Sequence, residues 1–224
     1  MTALVATASA VVGLAAGPFL ALLADRVPER KPLTGHGLRS PGMAPITAAA
    51  VVLFAAIGAR FGADWAVPAF LVFAGALLVV TVTDLRLFLI PNRIVYPTLA
   101  AATVLLTAAA GASGDWDALR RSVVGGLGAW AAMLVLHLVN PRGMAFGDVR
   151  LAAVIGAFTG WLGYGHVFLG LFLGFVAAAG VGLVLIVTRR RTAKDPVPFG
   201  PFLAVGAMAA VLFGDALLRW YRGT

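Results

Sequence analysis

Long stretches without a charged residue are the strongest constraint on the fold of this chain. The longest covers the 38 residues 151–188 and contains no Asp, Glu, Lys or Arg. One transmembrane helix needs about 20 apolar residues, so this stretch is too long for a single helix and suits two. The segment GWLGYGH at 160–166 supplies a turn between them, with aromatic residues suited to a membrane interface. The stretch therefore predicts two consecutive membrane-spanning helices.

The overall composition extends this prediction to the whole chain. Hydrophobic residues make up 61% of the 224 residues and charged residues only 12%. That is too little charge to cover the surface of a water-soluble domain of this length. Charged residues and Pro/Gly positions divide the sequence into eight apolar spans, roughly 3–24, 43–60, 66–84, 93–111, 122–140, 148–162, 166–187 and 198–218. We therefore expect an all-α, polytopic membrane protein with about eight transmembrane helices.

Basic residues are divided unevenly between the two sets of alternate loops. One set holds Arg26, Arg30, Lys31, Arg39, Arg86, Arg93, Arg142, Arg150, Arg189, Arg190, Arg191 and Lys194. The other set, with the C-terminal tail, holds Arg60, Arg120, Arg121, Arg219 and Arg222. Because basic loops tend to remain in the cytoplasm, the first set is predicted to be cytoplasmic and both termini to lie outside. The net charge of +8 then reflects loops beside anionic lipid, and we expect no nucleic-acid partner.

Two aspartates directly adjoin long apolar runs. Asp84 closes a 19-residue uncharged stretch, and Asp148 comes just before the long run that starts at residue 151. A carboxylate at membrane depth is costly, so each is a candidate functional residue. In the predicted topology both lie at the cytoplasmic ends of their helices, at similar depth. We therefore expect Asp84 and Asp148 to form a catalytic pair.

Such a pair has a definite chemistry. Two close carboxylates share one proton, so that the ionised member can activate a water while the protonated member donates to a carbonyl oxygen. This is peptide hydrolysis without a metal or a covalent intermediate. Gly147 would let a substrate backbone approach Asp148 closely. Pro91 would end or kink the segment after Asp84, and Asn92 could cap the next helix.

Other interpretations use the same residues differently. Each aspartate could be a structural residue at a helix end, paired with Arg86 or Arg150. The two could also form a proton or cation relay in a membrane carrier, although carriers tend to place such groups near the bilayer midplane, in paired repeats that this sequence lacks.

A serine protease is a further alternative, and it depends on polar residues outside the aspartate pair. Ser113 lies in the segment GASG, and His166 would lie on the same membrane side. A simple turn also explains this serine. His137 is expected to be a helix-packing or interface residue, with a role in binding substrate as the alternative. Asp215 is expected to end the last helix and to face headgroups or Arg219.

Four segments resemble one known family, in the same order along the chain. Residues 84–92 (DLRLFLIPN) look like the first aspartate motif of the type IV prepilin peptidases, and residues 143–151 (GMAFGDVRL) look like their GxGD motif. Residues 198–204 (PFGPFLA) are similar to a late segment of that family, and residues 17–28 (GPFLALLADRVP) to its N-terminal signature. Each match alone is short. Together they are distributed in the family's order across almost the whole chain.

The resemblance implies an eight-helix intramembrane aspartic endopeptidase of the bacterial inner membrane. It would remove the short basic leader from prepilins or pseudopilins at the cytoplasmic face, with no cofactor. Asp84 and Asp148 carry over as the catalytic residues, and Arg150 takes a position where the family has a basic residue. By this resemblance, residues 1–65 form a reduced N-terminal region with a short cytoplasmic loop, and residues 66–224 form the peptidase domain.

The sequence departs from the family pattern at two points. The first glycine of GxGD is Ala145, whose methyl group could narrow the approach to the scissile bond unless its φ is negative. Longer members also carry a CxxC…CxxC zinc element between the first two helices and N-methylate the new pilin terminus. This chain contains no cysteine and has only about 20 residues there. We therefore expect no zinc site of that kind, which argues against N-methyltransferase activity.

Overall fold

The computed structural model describes residues 1–28, 42–141, 143–189 and 197–223 of the chain, and these form α-helices with no strand. The eight helices are α1 (Thr2–Arg26), α2 (Met43–Phe61), α3 (Val67–Leu87), α4 (Asn92–Ser113), α5 (Trp116–Val139), α6 (Phe146–Leu162), α7 (Tyr164–Val187) and α8 (Gly200–Arg222). The predicted all-α class is confirmed. Most helix ends lie within a few residues of the predicted spans.

Seven of the eight helices are long and apolar enough to cross a membrane. The exception is α6, whose 17 residues are at the lower limit of about 17–25 for a spanning helix. The chain is therefore a multi-pass membrane protein, as predicted. The side on which the termini lie stays a prediction. Several basic residues used for it are outside the described residues: Arg30, Lys31, Arg39, Arg142, Arg190, Arg191 and Lys194.

The largest difference from the predicted spans is the start of α5. Arg120 and Arg121 suggested a loop up to residue 121, but the helix begins at Trp116. The Asp115 Oδ1 atom accepts a hydrogen bond from the Ala118 backbone N–H at 2.9 Å, which caps the helix start. One turn of charged residues is thus stable as helix because a side chain satisfies an N–H group that would otherwise lack a partner.

The contacts between residues group the chain into two compact units, 1–120 and 121–224. In the first unit, α1 packs tightly along α2, and α3 packs on α1, α2 and α4. Small residues make the close approach of α1 and α2 possible: a Cβ atom at Gly13 would lie 2.7 Å from the Ala50 carbonyl oxygen. Phe70, Phe73 and Leu77 of α3 are fully buried in this unit. The division at residue 65 suggested by the resemblance stays a prediction.

In the second unit, α6 packs against α7 and α8, which also pack along each other. Twelve of the 17 residues of α6 are buried, among them Phe158 and Ile155. A Cβ atom at Gly125 of α5 would lie 2.7 Å from the Gly156 carbonyl oxygen, so these two backbones are in direct contact. The tight packing around α6 fixes the position of its first turn, where Asp148 lies.

Candidate active site

Asp84 lies in the last turn of α3 and is 5% exposed. Its carbonyl oxygen accepts a hydrogen bond from the Phe88 N–H at 2.9 Å, which closes the helix. Phe88 itself has φ 52, a left-handed conformation that a bulky residue adopts at a cost. Next to Asp84, the buried Thr83 hydroxyl donates to the Val80 carbonyl at 3.1 Å. The carboxylate is therefore carried by a helix end with well-defined hydrogen bonding.

The link from α3 to α4 lies close to its predicted position, but Asn92 has a different role from the one predicted. Helix α3 ends at Leu87, three residues after the predicted end of this span, and the left-handed Phe88 terminates it. Pro91 is the residue that precedes α4, with φ −72 and ψ 127, and its carbonyl accepts from the Ile94 N–H at 2.9 Å. Asn92 is the first helical residue, and no side-chain hydrogen bond caps the helix. The predicted capping role of Asn92 is wrong, since the fixed φ of Pro91 sets the helix start.

Asp148 lies in the first turn of α6 and is 4% exposed. Its backbone N–H donates to the Ala145 carbonyl at 3.1 Å. Ala145 has φ −73 and ψ 146, an extended conformation that any residue adopts, so alanine in place of glycine causes no backbone strain here. Gly147 is the second residue of the helix and is half-buried.

Three side chains pack together at the start of α6, the helix that carries Asp148. The Arg150 guanidinium lies over the Phe146 ring at 4.8 Å, and the His137 ring meets the same ring edge-on at 5.4 Å. The His137 Nδ1 atom is 2.8 Å from the Met144 carbonyl oxygen and donates to it in the tautomer protonated at Nδ1. His137 thus connects α5 to the loop before α6.

Arg86 and Arg150, the possible salt-bridge partners of the two aspartates, make other contacts in the structure. Arg86 pairs with Asp25 of α1 at 2.5 Å, and Arg150 also donates from Nε to the Phe146 carbonyl at 3.4 Å. Asp25 was not among the residues predicted from the sequence. The sequence feature that could have indicated it is the opposite charge of Asp25 and Arg86. Asp25 follows the first predicted span and Arg86 follows the third, and both of these span ends are predicted to be cytoplasmic.

Burial separates Asp84 and Asp148 from every other acidic residue that the structure describes. Asp25 and Asp215 are partly exposed, and Asp64, Asp115 and Asp117 are exposed. Burying a carboxylate is costly unless its surroundings compensate, and burial of this kind is common at functional sites. Within the described ranges, no group of three or more His, Cys, Asp or Glu residues could hold a metal ion.

The residues of the serine-protease alternative have other roles in the structure. The Ser113 hydroxyl donates to the Ala109 carbonyl at 2.8 Å at the end of α4 and accepts from the Asp115 N–H at 3.3 Å. The buried His166 has its Nε2 atom 3.2 Å from Asp215 Oδ1. Asp215 does not end the last helix as expected, because α8 continues to Arg222. The expectation that it faces headgroups or Arg219 stays a prediction.

Comparison with known proteins gives a consistent result. The model of the type IV leader peptidase family matches residues 71–187, a range that includes both buried aspartates. Neither the carrier nor the serine-protease alternative has any support from the similar proteins. No solved structure matches the chain significantly.

Several similar curated proteins carry the name prepilin leader peptidase/N-methyltransferase. The chain is 31% identical to that of Aeromonas hydrophila over 76% of its own length and 58% of the relative's. It is 32% identical to that of Bacillus subtilis over 75% of its own length and 65% of the relative's. It is 32% identical to that of Burkholderia pseudomallei over 88% of its own length and 62% of the relative's. The chain thus spans less than two thirds of each of these relatives, and it belongs to the type IV leader peptidase family.

Proposed function

We propose that this chain is an intramembrane aspartic endopeptidase that cleaves the leader from prepilins or pseudopilins, with Asp84 and Asp148 as its catalytic pair. The observation that carries the proposal is the burial of these two aspartates alone among the described acidic residues. Both lie inside the range that matches the family. The approach of the two carboxylates to each other is part of the proposal.

The proposed reaction needs only these two side chains and a water. The ionised carboxylate takes a proton from the water as its oxygen adds to the scissile carbonyl carbon, while the protonated carboxyl donates to the carbonyl oxygen. The tetrahedral intermediate then collapses: the C–N bond breaks, the carboxyl that took the proton from water passes it to the leaving amine, and the hydroxyl formed from the carbonyl oxygen returns its proton to the other carboxylate. Products are the leader carboxylate and a new N-terminal amine. In an enclosed site such charge shifts are stabilised more strongly than in water.

Placement in the membrane is a second part of the proposal. Asp84 is in the last turn of α3 and Asp148 in the first turn of α6, so each lies at a helix end and not in the middle of a span. The excess of basic residues in the flanking loops favours the cytoplasmic side of the bacterial inner membrane for both ends. A substrate with a basic leader just before its hydrophobic helix would present its cleavage site at this depth.

The test uses purified protein and a synthetic prepilin in detergent or liposomes. Asp84→Asn and Asp148→Asn should each lower kcat by about 10²- to 10⁴-fold, because an amide cannot accept or share the proton. The double variant should be no slower than the slower single variant, since the two act as a unit. Asp117→Asn is the matched control, because Asp117 is an exposed aspartate paired with Arg120 at 3.1 Å.

Cleavage at a near-normal rate by either single variant would contradict the assignment. So would losses that add in the double variant, which would mean independent roles. Ion flux through the same liposomes without cleavage would favour the carrier.

Weighing the product by mass spectrometry in the presence of S-adenosylmethionine tests the methyltransferase question in the same assay. We propose that the product carries no added methyl group, since the chain has no cysteine for the zinc element. A methylated new N-terminus that forms only when this protein is present would contradict that part of the proposal.

A further inference from the structure

A second polar site lies in the unit of residues 121–224, at the end of α6 opposite to Asp148. Asp148 and Leu162 are about 21 Å apart along the α6 axis. At the Leu162 end there is a cavity of about 390 Å³. It is lined by the end of α6, the first turn of α7 and the last two turns of α8. The polar side chains that line it are Tyr164, His166, Asp215, Arg219 and Arg222.

The charges around this cavity are unbalanced. Arg219 and Arg222 are three residues apart, so both lie on the same side of α8. The Nη2 atom of Arg222 would be 3.7 Å from a Cβ atom at Gly165, which places its guanidinium beside the first turn of α7. No ion pair joins either arginine to an acidic residue within the described part of the chain. The one carboxylate in the cavity, Asp215, lies beside His166.

The base of the cavity is held by close packing of α7 against α8. His166 is 5% exposed, and its Nε2 atom is 3.2 Å from Asp215 Oδ1. A Cβ atom at Gly214 would overlap the imidazole ring, so only glycine lets the ring reach this position. The His166–Asp215 pair therefore occupies a preformed pocket that Arg219 and Arg222 of α8 also line.

Aromatic residues indicate the depth of this cavity in the membrane. Trp220 and Tyr221 lie between the two arginines in sequence, and each is 82% exposed. Such side chains concentrate at the level of the lipid headgroups. Arginine binds phosphate through two parallel N–H···O hydrogen bonds, and it is preferred over lysine where that geometry matters. The site thus combines phosphate-binding chemistry with the depth of a lipid phosphate.

We propose that this cavity binds the phosphate group of an anionic phospholipid headgroup, with Arg219 and Arg222 as its ligands. The bound lipid bridges the start of α7 and the end of α8, because the cavity is built from both. This site is separate from Asp148, which lies at the other end of α6. The inference does not depend on the proposed function, and a measurement of lipid binding alone tests it.

The experiment titrates the purified full-length protein in detergent with phosphatidylglycerol and measures bound lipid by native mass spectrometry. Phosphatidylcholine and inorganic phosphate are titrated separately. Each arginine near an anionic headgroup contributes to the binding free energy of the lipid. Arg219→Gln or Arg222→Gln should therefore raise the dissociation constant for phosphatidylglycerol about fivefold, and the two substitutions together should raise it about 25-fold. Arg120→Gln removes the same charge from an arginine that is already paired, and it should change the dissociation constant little.

Three results would overturn the proposal. One is wild-type affinity for phosphatidylglycerol in the doubly substituted protein, or in both single variants if the double variant does not fold. Another is an equal loss of affinity in Arg120→Gln, which would mean a general effect of charge. The third is binding of inorganic phosphate with no selective binding of phosphatidylglycerol, which would assign the site to the free anion. The proposal is supported if the Gln variants lose affinity for phosphatidylglycerol while their affinity for phosphatidylcholine does not change.

Discussion

Asp25 and Arg86 form an ion pair at 2.5 Å that joins the C-terminal end of α1 to the last turn of α3. Arg86 is two residues after Asp84, so the pair restrains the helix end that carries the proposed catalytic carboxylate. The side chains of Arg86 and Asp25 are 46% and 22% exposed. Partly exposed pairs contribute little to global stability, about 0–1 kcal/mol. The effect of this pair is therefore expected in the position of Asp84 more than in folding.

The first prediction concerns this pair. Asp25→Asn should lower kcat about three- to tenfold, because loss of the restraint lets the last turn of α3 move and small displacements of a catalytic group are costly. KM and the thermal midpoint should change little. Steady-state cleavage of a synthetic prepilin measures the first two quantities.

The charge-exchanged double variant Asp25→Arg/Arg86→Asp is the control, since it keeps an ion pair with reversed direction. It should recover part of the lost kcat. If the exchanged protein folds but is as slow as Asp25→Asn, the ion pair does not position Asp84.

The second prediction concerns the loop before Asp148. His137→Ala removes the hydrogen bond to the Met144 carbonyl and the edge contact with Phe146. Such a hydrogen bond contributes about 1 kcal/mol. If all of this free energy is added to the activation barrier, kcat falls roughly fivefold. His137→Asn should retain most of the activity, because its amide nitrogen can occupy nearly the same place as Nδ1. Equal rates for wild type, Ala and Asn variants would show that this bond has no positioning role.

The third prediction concerns the departure from the GxGD pattern. Ala145 is exposed and has φ −73, so Ala145→Gly removes no packing and relieves no strain. The substitution should leave the cleavage rate within about twofold or raise it slightly, at a cost of about 0.5–1 kcal/mol in stability from the greater freedom of glycine in the unfolded chain. Cleavage rate and thermal midpoint are the measurements. A sharp fall in turnover with a folded protein would mean that the methyl group contacts the substrate.

The sequence allowed the helices and both candidate carboxylates to be predicted because these depend on local patterns. Apolar spans of the length of a bilayer mark the helices, and charged residues mark their ends. Asp84 and Asp148 stood out because each adjoins such a span. The start of α5 was placed too late because the sequence pattern gave no weight to capping by Asp115. A short-range hydrogen bond decided that boundary against the charge pattern.

Pairings between distant residues could not be predicted in the same way. Asp25 and Arg86 are 61 residues apart, and their contact depends on how α1 packs on α3. His166 and Asp215 meet only because Gly214 lets α7 approach α8 closely. The role of Phe88 was also missed, since a left-handed aromatic residue at a helix end has no clear sequence signal. In each case tertiary packing selects one of several conformations that the local sequence allows.

The last prediction tests the proposed topology, and the absence of cysteine makes it direct. Leu89 and Ala112 are both exposed and lie near opposite ends of α4, so Leu89→Cys and Ala112→Cys place one thiol at each end. A membrane-impermeant maleimide added to intact spheroplasts should label Ala112→Cys and not Leu89→Cys, because the excess of basic residues predicts a cytoplasmic position for the link from α3 to α4. Both variants should react after permeabilisation, which controls for burial of the thiol. Labelling of Leu89→Cys in intact spheroplasts would place the Asp84 end of α3 outside and would contradict a cytoplasmic active site.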